Sequence, residues 1–154
     1  MSTITYKKPT LLDIPAMQEL VAPEIESGVI LPRSNDEIAT NIRSYFLALD
    51  GEALVGFVAL HIHSPLLAEV RSMIIATDYR GKNIGTTLVE NACEEGRRLG
   101  LKEVLALTYQ QHFFERLGFI EIPKETIPEH KIWADCIKCK HFPVCNEVSL
   151  IKTL

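Results

Sequence analysis

The run from Ala68 to Gly85 limits the fold of this chain more than any other segment. A strand-like stretch, Ala68-Glu69-Val70-Arg71-Ser72-Met73-Ile74-Ile75-Ala76, passes into a short polar loop, Thr77-Asp78-Tyr79-Arg80-Gly81-Lys82-Asn83. A helix opens at once with Ile84 and Gly85. The first turn of a helix leaves backbone N–H groups unpaired and carries partial positive charge, so an anion placed there is stabilised. Gly81 and Gly85 carry no Cβ, and asparagine at 83 tolerates positive φ, so the backbone can curl close to a ligand. Arg80 and Lys82 add charge at the rim. A Walker loop needs Gly-Lys-Ser/Thr, whereas Lys82 is followed by Asn83. A dinucleotide fold needs G-x-G-x-x-G, and that triplet is absent. The alternative is a polar strand-to-helix connection that binds nothing.

The chain has 154 residues, enough for one domain with a proper core. Its hydrophobic fraction is 47% and its charged fraction 23%, the balance of a water-soluble globular protein. No apolar run approaches a membrane span, and the N-terminus lacks the apolar core of a secretion signal. A cytoplasmic protein with no membrane partner is therefore expected. The net charge of −4 argues against a nucleic-acid partner, which requires a basic face.

Periodicity gives the remaining elements. Thr3 to Lys8 reads as a strand, and Leu11, Ile14, Met17, Leu20 and Val21 make a helical stripe. Ser34-Asn35-Asp36-Glu37 is a capping box that starts a second helix. Tyr45 to Leu49 and Ala53 to His63 flank Asp50-Gly51, a tight-turn signal, and predict a hairpin. Leu67 to Ala76 is the next strand. Ile84, Leu88, Val89, Ala92, Cys93, Gly96 and Leu99 form one face of a long helix that Gly100 ends. Lys102 to Thr108 predicts a buried strand, His112 to Leu117 a short helix closed by Gly118, and Phe119 the start of another strand. Val148 to Leu154 reads as a closing strand. Mixed strands and helices around one central sheet define an α/β domain spanning residues 1–154.

Arg80-x-x-x-x-Gly85, between a strand and a long helix, resembles the coenzyme A pyrophosphate loop of the GNAT superfamily of N-acetyltransferases, whose pattern is Gln/Arg-x-x-Gly-x-Gly/Ala. Asn83 stands where that family usually has its first glycine. The element order is also similar to the GNAT fold, a mixed central β-sheet flanked by helices, over nearly the whole chain. The resemblance implies acetyl-CoA as co-substrate. Arg80, Gly81, Lys82, Asn83, Ile84, Gly85 and Thr86 would hold its phosphates. Backbone groups of Met73, Ile74 and Ile75 would align the pantetheine and polarise the thioester, with Phe114 a further contact.

Acyl transfer to an amine needs a base for the amine, a stabilised oxyanion and an acid for the thiolate. Strand alternation puts Glu69, Arg71, Met73 and Ile75 on one face. Glu69 lies eleven residues before Arg80, the spacing of the general-base glutamate in several GNAT enzymes. A plain ion pair with Arg71 or another cation is the alternative. Many relatives place an acidic tyrosine just before the segment that reads Phe113-Phe114-Glu115-Arg116-Leu117-Gly118-Phe119 here. Phenylalanine occupies that position, which leaves Thr108 and Tyr109 as hydroxyl candidates, or as caps of the short helix.

A narrower resemblance is to N-acetylglutamate synthases. It rests on Leu31-Pro32-Arg33-Ser34, Asn41-Ile42 and Phe46, on Leu107-Thr108 before the Phe113–Phe119 segment, and on the tail from Pro128 to Cys139. The tail is similar to the short, single-domain members of that group, which act without the amino-acid-kinase-like domain of the longer ones. The resemblance implies L-glutamate as acceptor, at the first step of arginine biosynthesis. A dicarboxylate needs cationic forks, and Arg33, then Arg71 and Lys131, are the candidates. A solvated surface charge is the alternative for each. Cys136, Cys139 and Cys145, with His141, offer a compressed zinc half-site, a redox pair or reduced structural thiols. Cys93 reads as core, and His61 with His63 as a partly exposed sheet face or a metal pair. Two rival functions stand beside glutamate acetylation. One is acetylation of another amine, such as a different amino acid, a polyamine or a protein N-terminus. The other is a non-catalytic acyl-CoA sensor. Oligomeric state stays open, a homodimer included.

Overall fold

The computed structural model describes residues 3–28, 32–123, 126 and 148–154. Its strands are β1 (Ile4–Lys7), β2 (Tyr45–Asp50), β3 (Ala53–Ile62), β4 (Leu67–Ile75), β5 (Glu103–Thr108), β6 (Ile120–Ile122) and β7 (Val148–Thr153). Its helices are α1 (Ile14–Glu26), α2 (Asn35–Thr40), α3 (Ile84–Leu99) and α4 (Gln111–Glu115). The strands form one seven-stranded sheet in the order β1-β2-β3-β4-β5-β7-β6. Every neighbouring pair is antiparallel except β4 and β5, which run parallel and are joined through α3. A parallel pair needs such a crossover, so the strand-loop-helix segment sits at the centre of the sheet.

Two apolar clusters sandwich that sheet. On one face Ile84, Leu88, Val89, Ala92 and Cys93 of α3 pack on Val58, Leu60, Ala68, Val70, Val104 and Ala106, with Phe114 of α4 beside them. On the other face Ile14, Met17 and Val21 of α1 and Ile38 of α2 cover Tyr45, Leu47, Phe57, Ala59 and Ile74. The stripe read from Leu11 to Val21 divides in two. Thr10 and Asp13 close a capping box around a 3-10 turn at Leu11–Asp13, and α1 runs beyond Val21 to Glu26 with Pro23 inside it.

The Ser34 capping box forms as expected. Its Oγ accepts the Glu37 N–H at 3.1 Å, and Glu37 Oε1 accepts the Ser34 N–H at 3.2 Å. Alpha2 is a short helix, so the cap is a large part of what defines its start. Ser34→Ala is expected to lower stability by about 1 kcal/mol, read as a shifted urea midpoint with an unchanged slope.

One feature of β4 was not legible in its alternation. Phe57 pairs with Ile74 and Ala59 with Arg71, so Val58 alone on β3 faces both Ser72 and Met73 on β4. This is a β-bulge, and Ser72 sits in it at φ 59°. The extra residue inverts the faces beyond it. Met73 and Ile75 pack with Ala68 and Val70 on the α3 side, while Ile74 packs under α1. Glu69 and Arg71 therefore share their face with Ile74, not with Met73 and Ile75.

Candidate active site

Beta4 and beta5 stay paired only from Leu67–Glu103 to Val70–Ala106. Beyond Val70, β4 runs on through the bulge to Ile75, while β5 runs on to Thr108 hydrogen-bonded to β7. The two parallel strands thus part at the centre of the sheet. A crevice at the carboxyl ends of parallel strands is where open α/β sheets take ligands.

The loop after β4 lines one side of this opening. Gly81 has φ 78° and Asn83 φ 64°, so the asparagine holds the left-handed conformation expected of it. Its side chain caps no backbone N–H of α3. Helical bonding starts with the Thr87 N–H donating to the Asn83 carbonyl at 3.1 Å, so the N–H groups of Ile84, Gly85 and Thr86 precede the first helical bond. No acidic side chain occupies that first turn. Donors and helix dipole together favour an anion there. A Cβ on Gly85 would lie 3.3 Å from Phe113 Cζ and 3.7 Å from Met73 Sδ. Gly85 is thus the point where α3, β4 and α4 converge, and its missing side chain keeps that junction narrow but open.

The cations of the loop are partly engaged. Arg80 Nε donates to the Ile75 carbonyl at 3.1 Å, and its Nη2 lies 3.1 Å from Glu24 Oε1 of α1. The Lys82 ammonium lies 5.4 Å from the Tyr79 ring centroid. The Tyr79 hydroxyl donates to Asp50 Oδ2 at 2.6 Å, tying the loop to the β2–β3 turn. That bond to Asp50 is the main reason the Tyr79 phenol is raised above its usual pKa.

Glu69 lies on the opposite, α1-facing side of the sheet. It is one of the few buried polar residues, with 2% exposure. Its Oε1 is 3.0 Å from His63 Nε2 and 3.9 Å from Arg71 Nη1. Register explains the grouping, because Glu69 pairs with His61 and Arg71 with Ala59, which in turn opposes Tyr45. Burial raises the Tyr45 phenol above its usual pKa, and Arg33 and Arg71 pull it the other way. Both guanidinium groups therefore act on one phenol, Arg71 from β4 and Arg33 from the segment before α2. Gln18 of α1 anchors that segment, its Nε2 donating to the Arg33 carbonyl at 2.8 Å and to Asn35 Oδ1 at 3.0 Å.

The remaining sequence-predicted residues divide. Thr108 is buried with Val104 and Ala106 on the α3 side by alternation, and its Oγ1 accepts the Gln110 N–H at 2.8 Å. It caps the turn into α4. Tyr109, the next residue, lies just past the end of β5 and is 42% exposed. Phe114 is 3% exposed and stacks edge-on with Phe113 and Phe119 in the core. The aromatic ring at the α3 opening is that of Phe113, because Phe114 points into the interior. Lys131, Cys136, Cys139, His141 and Cys145 lie outside the described residues. Among the described residues no cluster of three His, Cys, Asp or Glu side chains is placed to hold a metal. No described helix is long and apolar enough to cross a membrane. Sequence reasoning missed the pairing of His63 with Glu69. The signal was present, since a hairpin between Ile62 and Leu67 brings His63 back beside the strand that carries Glu69.

The acetyltransferase (GNAT) family model matches residues 14–119. An uncharacterized N-acetyltransferase of Chlorobaculum tepidum is 36% identical over 94% of this chain and 92% of its own. An amino-acid acetyltransferase of Pasteurella multocida is 26% identical over 82% of this chain, which spans only 29% of that protein. The N-acetylglutamate synthase of Neisseria gonorrhoeae, solved with coenzyme A and N-acetyl-glutamate, has the same fold at a TM-score of 0.86 and 20% identity. That likeness covers 100% of this chain and 36% of the synthase.

Proposed function

The chain belongs to the GNAT acetyltransferase family, and within it we propose that the chain moves the acetyl group of acetyl-CoA to the α-amine of L-glutamate. The observation that carries the reading is the position of Glu69. It is a buried carboxylate held by His63 and Arg71, on the strand that then bulges and parts from β5.

In this reading the diphosphate of the donor rests on the first turn of α3, with Gly81 and Asn83 bending the loop around it. The pantetheine arm enters where β4 and β5 part, beside Met73 and over Gly85. The backbone edge of β4 from Met73 to Ile75 polarises the thioester carbonyl there. The acceptor approaches from the opposite face of the sheet. Glu69 takes a proton from its ammonium, and the free amine attacks the thioester carbon. The C–N bond forms, the C–S bond breaks, and the thiolate leaves with a proton from Tyr109, whose phenolate takes the second proton from the nitrogen as the amide forms. Thr108 is the weaker acid candidate, since an aliphatic hydroxyl is a far weaker acid than a phenol.

Two facts support glutamate over a neutral amine. Positive charge from both Arg33 and Arg71 reaches Tyr45, which packs under α1 on the side where Glu69 also lies, and planar guanidinium groups suit a carboxylate. The amino-acid acetyltransferase of Pasteurella multocida matches most of this chain. Lys131 is a third carboxylate partner in this proposal. The test is release of coenzyme A thiol from acetyl-CoA across a panel of free amino acids. Glutamate is expected to exceed aspartate and glutamine by about 10-fold or more in kcat/KM, because a shortened or neutral side chain forfeits the charge-assisted contact proposed for its carboxylate. Equal rates with all three would sink the assignment. Donor binding with no turnover on any amine would favour a sensor instead.

A further inference from the structure

We propose that His63 is the positioning residue for Glu69: its imidazole fixes the rotation of the carboxylate and thereby where the base meets the acceptor's proton. This rests on the reading of Glu69 as the general base.

A carboxylate on a single side-chain stem can turn about its last bond, and a base that turns spends little time aligned. His63 opposes that turning. A carboxylate only accepts hydrogen bonds, so at 3.0 Å the imidazole donates through Nε2 to Oε1. Both partners are buried, with side chains 7% and 3% exposed, so the contact is scarcely diluted by water. His63 is itself held twice, once through its backbone and once through its ring. Its backbone N–H donates to the Leu67 carbonyl at 2.9 Å, which closes the β3–β4 turn. Its imidazole stacks edge-on against His61 with centroids 4.8 Å apart. His61 in turn is the cross-strand partner of Glu69. Arg71 Nη1 approaches the same Oε1 at 3.9 Å, too far for a hydrogen bond, so it supplies charge while His63 supplies direction. Fixing Oε1 fixes the plane of the carboxylate and with it the position of Oε2.

The contact is through Nε2, and that makes the proposal testable by side-chain geometry. A glutamine amide nitrogen lies about where Nε2 does, whereas asparagine stops short. His63→Asn is expected to lower kcat roughly 10- to 100-fold with KM for acetyl-CoA changed less than about 2-fold. His63→Gln should restore most of the lost rate. The deciding measurement repeats both substitutions in a Glu69→Gln background, using radiolabelled acetyl-CoA to follow slow turnover. If His63 acts through Glu69, His63→Asn changes kcat there by less than about 2-fold. An equal loss in both backgrounds would show that His63 acts independently, and would overturn the proposal while leaving Glu69 as base. A Glu69→Gln enzyme with normal kcat would instead remove the base reading itself. A readout without turnover comes from proton NMR of the unliganded protein. A slowly exchanging imidazole N–H resonance, absent from both His63→Gln and Glu69→Ala, is expected. Its absence from the unsubstituted protein would also overturn the proposal.

Discussion

Glu69→Gln is expected to lower kcat by about 10²- to 10⁴-fold, the usual contribution of a positioned general base. The substitution keeps the size of the side chain and its acceptor oxygen toward His63, so the fold should persist. What it removes is the ability to take a proton. The acceptor amine arrives as an ammonium, which has no lone pair for the thioester carbon. Without the carboxylate only the small fraction already deprotonated can react. KM for acetyl-CoA should therefore stay within about 3-fold of normal, since the anion site proposed for the donor is on the α3 side and its backbone donors are untouched. The rate loss should shrink as pH rises and more free amine is present. A variant that loses donor affinity in step with kcat would place Glu69 in the scaffold and not in the chemistry. The control is thermal unfolding, because a buried glutamine 3.0 Å from His63 still has its partner.

Much of this arrangement is legible where the signal is local. The Ser34 box, the Asp50-Gly51 turn and the Gly100 end of α3 each rest on a residue whose conformational preference acts within a turn of itself. Asn83 belongs with them, since its left-handed backbone follows from its own side chain. What escaped depends on register between distant strands. Serine carries no bulge signal, yet Ser72 adopts φ 59° because β3 and β4 pair on both sides of it with different offsets. One inserted residue then moves Met73 and Ile75 to the face opposite Glu69. That inversion is what separates the two substrates across the sheet in the proposed reaction: the arm of the donor follows Met73, and the acceptor meets Glu69. The pairing of Arg80 with Glu24 escaped for a similar reason, since it joins the loop to a helix far away in sequence. It leaves the backbone of α3, more than the side chain of Arg80, as the ready partner for a diphosphate.

The second large effect concerns the support beneath that helix end. Leu88→Ala is expected to cost about 2–5 kcal/mol of stability, a large part of the roughly 5–15 kcal/mol a domain of this kind holds. Leu88 is fully buried, one turn after Ile84, in the cluster that joins α3 to β3 and β4. Its Cδ1 would lie 3.5 Å from a Cβ on Gly56, beside the β4 residues Ile74 and Ile75 that press on the same glycine. Truncation would leave a void that this tight junction cannot collapse to fill, because backbone lies on its far side. Urea unfolding should show a lower midpoint with an unchanged slope. The N–H groups of Ile84, Gly85 and Thr86 are backbone atoms, so the folded variant should keep its affinity for acetyl-CoA. Mass action then predicts that donor at 100 times its Kd restores about 2.7 kcal/mol, as it would for the unsubstituted protein. A stability loss under about 1 kcal/mol would mean that α3 is not held at Leu88. A full loss with no recovery by acetyl-CoA would mean that the folded variant no longer binds the donor, and that the truncation reaches the donor site.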